Sequence, residues 1–241
     1  MRIGSVARLF RYPVKSMQGE ELTRTPVGLQ GLPGDRRYAF VQATSRSIFP
    51  WLTGRQLASM LLHRPFYAER FDGEGREPPL LVRTPAGREL AIDGEELRIE
   101  LEAALGAPLF LLRDYRGSYD VAQVSVFDLG LAQRIAGECG VALDPRRFRA
   151  NVYLQPDPVS SVPESEWIGR VLAIGADLRL AITEADQRCM MITLDPDSAA
   201  ATPEILRTVA GRHGNCAGVY ASVIRPGTIR TGDAVELLDT V

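Results

Sequence analysis

The chain is 241 residues long, 45% hydrophobic and 24% charged, with 22 glycines and 16 prolines. That length allows one large domain or two small ones with a sizeable core, and the composition is that of a turn-rich globular protein. A formal net charge of -2 argues against general affinity for nucleic acid or acidic membranes. No apolar run approaches the ~18–20 residues that cross a bilayer, and Arg2, Arg8 and Arg11 break up any signal-like start. Cys139, Cys189 and Cys216 follow no zinc-site or disulfide spacing, so a cytoplasmic protein with reduced thiols and no membrane contact is expected. Lys15 is the only lysine beside many arginines.

The segment from Ile3 to Tyr12 alternates like a strand, with Val6, Arg8, Phe10 and Tyr12 on one face and Ile3, Ala7 and Leu9 on the other. Pro13 limits its continuation. A second strand is predicted at Arg37–Val41, after the turn-rich Gly31–Asp35. Short strands follow at Leu80–Val82 and Glu89–Ile92, around a Pro85-Ala86-Gly87 turn. Leu97, Leu101 and Leu105 mark a helix between Gly94 and Gly106, the latter a C-terminal stop. After Leu109–Leu112 a polar bridge suggests a domain boundary near residue 117.

In the second half, Phe127, Leu131 and Ile135 predict a helix running to about Gly140. Strands are expected at Asn151–Leu154, Val171–Ala173 and Leu178–Ile182. Thr202 and Pro203 read as N-cap and first turn of another helix. The end forms three short strands separated by turns at Pro226-Gly227 and Thr231-Gly232-Asp233. Many short strands and few helices give a mainly β (α+β) protein built of β-barrel-like domains.

Only two histidines, His63 and His213, are present, which rules out a histidine-rich metal site; both read as structural. In EADQRCMMITLDPD, Cys189 directly follows Arg188 and falls in a loop past a strand. A neighbouring cation favours the thiolate, the form that binds soft metals, although a core cysteine is the simpler reading. Cys139 reads as packing within a helix, and Cys216, among glycines, reads either way. Lys15 and Ser16 in YPVKS, and Arg36 with Arg37 in GDRRY, are cations on turns that can converge on a phosphate. They also fit solvated charges on a barrel rim. Arg149 and Asn151 lie in RFRAN, where Asn151 can pair with a heterocycle edge or simply mark a basic corner.

Taken together and in order, YPVKS, GDRRY, RFRAN, RC with LDPD, and PGTIRTGD resemble the MOSC family with its N-terminal β-barrel companion domain. That family includes the mitochondrial amidoxime-reducing component and the C-terminal part of molybdenum cofactor sulfurase. The resemblance implies an N-terminal barrel domain at residues 1–116 and a MOSC domain at 117–241. It also implies molybdenum cofactor (Mo-molybdopterin), its phosphate held by Lys15, Ser16 and Arg36 and its pterin contacted by Arg149 and Asn151. Cys189 is then the metal's thiolate ligand, and Arg188 a catalytic neighbour that stabilises a developing oxyanion. Ala150 replaces a proline of the family pattern, and Asp120-Val121-Ala122-Gln123 replaces a hydroxyl-rich stretch, with Ser125 the nearest hydroxyl. Cys216 stands where relatives often carry an aromatic residue, favouring packing.

The expected activity is reduction of small N-hydroxylated compounds at a Cys-ligated molybdenum; the alternative is a cofactor carrier or sulfur-transfer protein using Cys189. Three cysteines cannot build a four-cysteine iron–sulfur cluster beside that role, and no dinucleotide-binding glycine pattern is present. Electrons are therefore expected from an external reductase or ferredoxin-like donor.

Overall fold

A computed structural model describes residues 1–158 and 162–239 of the chain. In chain order, β1 (Arg2–Arg11), β2 (Glu20–Leu22), β3 (Arg24–Val27) and β4 (Tyr38–Gln42) come first. Then follow β5 (Arg64–Tyr67), β6 (Leu80–Arg83), β7 (Glu89–Ala91), α1 (Glu95–Leu105) and β8 (Leu109–Arg113). The second half contains β9 (Val124–Asp128), α2 (Leu129–Cys139), β10 (Val152–Pro156), β11 (Val171–Ile174) and β12 (Leu178–Gln187). It ends with α3 (Pro203–Arg212), β13 (Cys216–Arg225), β14 (Gly227–Arg230) and β15 (Ala234–Leu238).

Seven strands close into a barrel in the order β10-β9-β13-β12-β11-β15-β1, with β1 pairing back to β10. Closure removes free edges. Six of these strands lie after residue 117, and β1 supplies the seventh from the start of the chain. The boundary expected near residue 117 therefore falls between β8 and β9, yet β1 crosses it. The first half adds a β4–β8 pair and a β5-β6-β7 sheet packed with α1.

β1 departs from the predicted alternation for a local reason. Its register to β10 shifts between Val6 and Arg8, and such a bulge resets the period-2 facing of side chains. Ile3, Val6 and Leu9 thus share the barrel interior with Leu154, Leu180 and Leu237. Phe10 and Tyr12 fall instead into a second core with Phe127, Phe148 and Tyr153, covered by Ile135 of α2 and Ile205 of α3.

Three further expectations are corrected. Phe127 lies on β9, a strand missed because VSVFD runs straight into the α2 pattern. β12 extends to Gln187, five residues past its predicted end. Thr202 makes no side-chain capping bond; Pro203 alone marks the start of α3. Gly106 and Gly140 end α1 and α2 in the left-handed region, with φ 76° and 68°. No helix among the described residues is long and apolar enough to cross a membrane.

Gly4 sits where β1 meets both β10 and β15, and a Cβ there would press on the Gln155 carbonyl oxygen. Gly4→Ala should destabilise the protein by roughly 1–3 kcal/mol through overpacking. Gly137 of α2 has open space around it, so Gly137→Ala should stabilise by about 0.5–1 kcal/mol. Urea unfolding midpoints measure both; equal effects would contradict the closure argument.

Candidate functional site

A cavity of about 490 Å³ opens at one end of the barrel and is lined by Lys15, Ser16, Arg36, Arg149, Arg188 and Cys189. Four separate stretches supply these residues. Lys15 and Ser16 follow β1, Arg36 precedes β4, Arg149 precedes β10, and Arg188 with Cys189 follows β12. The turns after β1 and before β4 converge as predicted: Lys15 N–H donates to the Tyr38 carbonyl at 2.8 Å and Arg36 N–H to the Tyr12 carbonyl at 2.7 Å.

The backbone at this end is strained in a consistent place. Among the described residues, five non-glycine residues have positive φ, and Ser16 (66°), Arg36 (50°) and Arg149 (54°) are three of them. Such conformations persist only where surrounding structure over-determines them, and they collect at binding sites.

Arg149 is a cavity cation with little internal employment. Its guanidinium carbon lies 4.5 Å from the Tyr12 ring centre, and among the described residues no ion pair or side-chain hydrogen bond engages it. Burial, with Arg36 adding repulsion, pushes its pKa below the usual arginine value. A desolvated guanidinium facing a cavity is relieved by an anion. Arg36 is more committed: it pairs with the buried Asp35, donates to the Arg149 carbonyl at 3.0 Å and approaches Asn151 Oδ1 at 3.4 Å. Lys15 donates to the Ser118 carbonyl at 2.8 Å and to Asp120 at 2.9 Å, its Nζ 4.5 Å from the Trp51 ring centre. Burial lowers its pKa, and Asp120 opposes that shift.

Asn151 lies behind the cavity wall, 1% exposed. In place of the expected contact with a bound heterocycle, its Oδ1 accepts from Ser125 N and Oγ, both at 3.1 Å. Its Nδ2 donates to the Phe10 carbonyl at 3.1 Å. The same bonds consume the Ser125 hydroxyl. Asn151 therefore fixes β1 against β9 and Arg36, and shapes the site without lining it.

Arg188 lines the cavity beside Cys189 and is tied to the barrel through its guanidinium. Nε donates to the Ala217 carbonyl at 2.6 Å and Nη1 to the Phe148 carbonyl at 2.9 Å. Nη2 forms an ion pair with Asp186 Oδ2 at 2.8 Å and has no hydrogen-bond partner among the described residues. Gly218 makes this packing possible, since a Cβ there would meet Arg188 Nη2 at 2.8 Å. A guanidinium so engaged tethers the loop carrying Cys189, while Nη2 keeps N–H groups that no described residue accepts.

Cys189 is exposed and heads a single 3-10 turn at Met190–Thr193. Cys139 is half-buried against the second core, as its helical setting predicted. Cys216 lines a separate cavity of about 330 Å³ with Glu164, Asp128 and His213. His63 bonds the Ser59 carbonyl and His213 pairs with Glu138 at 2.8 Å, so both are structural. Arg37 stacks near Tyr115 outside the cavity.

Among the described residues no group of three or more His, Cys, Asp or Glu is arranged to hold a metal ion. A metal here would arrive with ligands of its own, and Cys189 would add one soft donor. The unpaired Arg149 with Lys15 and Arg36 suits an anionic tail on the same group, so the residues present fit a metal carried by a phosphorylated organic ligand. Sequence reasoning missed Tyr12, Trp51, Asp120, Asp186 and Tyr220. Of these, Tyr12 lies within YPVKS, Asp120 opens the Asp120–Gln123 stretch and Asp186 lies two residues before the RC pair, whereas Trp51 and Tyr220 lay beside no sequence signal.

The MOSC N-terminal β-barrel domain profile matches residues 3–107 and the MOSC domain profile residues 116–236. The chain belongs to the MOSC family. MOSC domains are generally associated with molybdenum-cofactor-binding proteins. The crystal structure of the YuaD protein from Bacillus subtilis is similar in fold, with 16% identity, a TM-score of 0.52, and coverage of 98% of this chain and 95% of that one. YiiM from Geobacillus stearothermophilus matches 49% of this chain and 55% of its own, with 13% identity and a TM-score of 0.36. A search of curated proteins found no match.

Behind Arg188, Glu164 is buried and its two oxygens accept backbone N–H bonds from Asp128 and Gly218. Burial raises its pKa from 4.5 to about 8. A carboxyl raised on folding stabilises most below its unfolded pKa, and that contribution is lost as pH rises through the folded value. Wild-type stability should fall between about pH 4.5 and about 8 relative to Glu164→Gln. Parallel pH dependences in urea unfolding would show that Glu164 does not titrate this way.

Proposed function

We propose that this MOSC protein binds molybdenum cofactor in the Cys189 cavity and reduces small N-hydroxylated compounds there. The observation that carries this reading is one cavity holding both an exposed thiol and an unpaired, half-buried guanidinium. When bound, the group supplies two-electron redox chemistry suited to removing oxygen from nitrogen; the protein supplies placement and electrostatics. Lys15 and Arg36 hold the phosphate, with Ser16 offering a hydroxyl on a strained turn. Arg149, flat against Tyr12, meets the remaining anionic or heterocyclic surface. Asn151 and Arg188 position these groups from behind, and Cys189 ligates the metal at the mouth.

The division of the chain into residues 1–116 and 117–241 is proposed with one qualification: β1 belongs to the barrel of the second unit. The exposure of Cys189 also suits a carrier or sulfur-transfer protein. Methyl viologen-driven reduction of benzamidoxime by metal-loaded protein separates the two, since a carrier would hold molybdenum without turnover.

Cys189→Ser should lose molybdenum while keeping the fold, because a serine hydroxyl is a hard, poorly ionised ligand. Lys15→Ala and Arg149→Ala should each weaken cofactor binding by roughly 1.5–3 kcal/mol, the worth of a charged hydrogen bond. Cys139→Ser and Arg37→Ala should retain full metal and pterin. Metal analysis and pterin fluorescence test all five; full metal in Cys189→Ser would end the ligand assignment.

The electron donor is proposed to be a separate protein. Purified, loaded protein should be inactive with NADH or NADPH alone and turn over once a reductase or reduced viologen is added. Robust turnover with NADH alone would refute that requirement.

A further inference from the structure

The reading above leaves one carboxyl of the cavity without a task. Asp186 lies near the end of β12, 3% exposed, and lines the cavity with Cys189 and Tyr220. The register of β12 to β13 shifts between Ile182 and Glu184 and again between Ala185 and Gln187. These irregularities turn the strand end so that consecutive residues 184–187 all line the cavity, which strict alternation would forbid.

Charged and titratable groups face Asp186 from every element around it. Arg188, just past β12, approaches at 2.8 Å. Tyr220, opposite Glu184 on β13, lines the same cavity beside it, while Arg36 and Asp120 act on it from the turn before β4 and the loop before β9. Arg188 is shared between Asp186, two backbone carbonyls and the field of Glu164. Its hold on Asp186 is therefore incomplete, and burial pushes the carboxyl from 3.8 up to about 6. Tyr220 is raised as well, chiefly by burial and then by Asp186. Glu184 and Asp120 also line the cavity, but Glu184 is exposed and Asp120 is held by Lys15. Both histidines lie elsewhere.

Removing oxygen from an N-hydroxyl group needs protons: R2N–OH plus two electrons and two protons gives R2NH and water. The N–O bond breaks, and the electrons come from the one-electron protein donor or reduced viologen. The oxygen leaves as water only if a proton reaches it. We propose that Tyr220 and Asp186 form the proton-delivering pair of this cavity. The Tyr220 hydroxyl gives a proton to the departing oxygen and is reprotonated by Asp186, which recovers its own proton from solvent. The second proton reaches the nitrogen from solvent. This inference rests on the reductive reading above.

The test compares wild type with Asp186→Asn, Asp186→Glu and Tyr220→Phe, all molybdenum-loaded, in viologen-driven benzamidoxime reduction across pH. All variants should keep wild-type molybdenum and pterin content, since neither residue belongs to the Lys15–Arg36–Arg149 cluster. Turnover in Asp186→Asn and Tyr220→Phe should fall by about 100-fold or more, the usual worth of a positioned general acid. The acid must be protonated to act, so wild-type kcat should fall as pH rises through about 6, and that limb should vanish in Asp186→Asn. Asp186→Glu should restore part of the rate. In cofactor-free protein, infrared titration should show a buried carboxyl that is absent from Asp186→Asn. A purely structural role would instead lower stability or cofactor content and leave the pH limb in place. Wild-type turnover with Asp186→Asn unchanged in rate and pH profile overturns the relay alone. Loaded wild type with no turnover overturns the reductive reading, and the relay with it.

Discussion

The buried pairing of Asp35 with Arg36 is the interaction on which the cavity end of the barrel depends. The Asp35 carboxylate is fully buried, taking the Tyr12 N–H on one oxygen at 2.6 Å and the Arg36 guanidinium on the other. Arg36 passes the constraint on to the Arg149 carbonyl and toward Asn151, and Asn151 fastens Phe10 and Ser125. One ionic contact thus registers the end of β1, the turn before β4, the loop before β10 and the start of β9. Desolvating such a pair is costly, and further hydrogen bonds offset the cost, here the Tyr12 N–H on Asp35 and the Arg149 carbonyl on Arg36.

That network explains how three cations gather without their partners collapsing the site. Arg36 spends its charge inside the wall, and Lys15 is partly compensated by the more exposed Asp120. Arg149 presents charge that no ion pair among the described residues neutralises, its guanidinium over the Tyr12 ring. The cavity is therefore electrostatically graded, with compensated cations at its base and an open anion-seeking group beside them. Holding Ser16, Arg36 and Arg149 at positive φ carries a strain of about 1–3 kcal/mol each, sustained by the surrounding bonds.

On the other wall, the two irregularities in β12 and the absence of a side chain at Gly218 decide the chemistry. Without the irregularities, Asp186 and Gln187 would face opposite sides of the barrel wall. Without the glycine, Arg188 could not lie where it meets Asp186 and two carbonyls at once. The Cys189 loop is thereby anchored by a residue that does not need to touch a ligand.

The sequence alone determined the class of fold, the family, and which segments meet. Turn residues around YPVKS and GDRRY, glycine stops at Gly106 and Gly140, and the RC pair after a strand are local signals, set by backbone preferences and residue chemistry. They located Lys15, Ser16, Arg36, Arg149 and Cys189, all of which line one cavity. The division of labour among the site residues was decided by tertiary structure. Asn151 and Arg188 carry motif identities, yet carbonyls and amides distant in sequence claim their hydrogen bonds. Asp186 lies beside the RC pair and Tyr220 in no motif, and they come together through the pairing of β12 with β13 and a shift of register. A bulge near Ala7 turned Val6 and Leu9 to the same interior, against the alternation of their own strand. Hydrogen-bond partners, burial and register depend on residues tens to hundreds of positions away, and local sequence does not encode them.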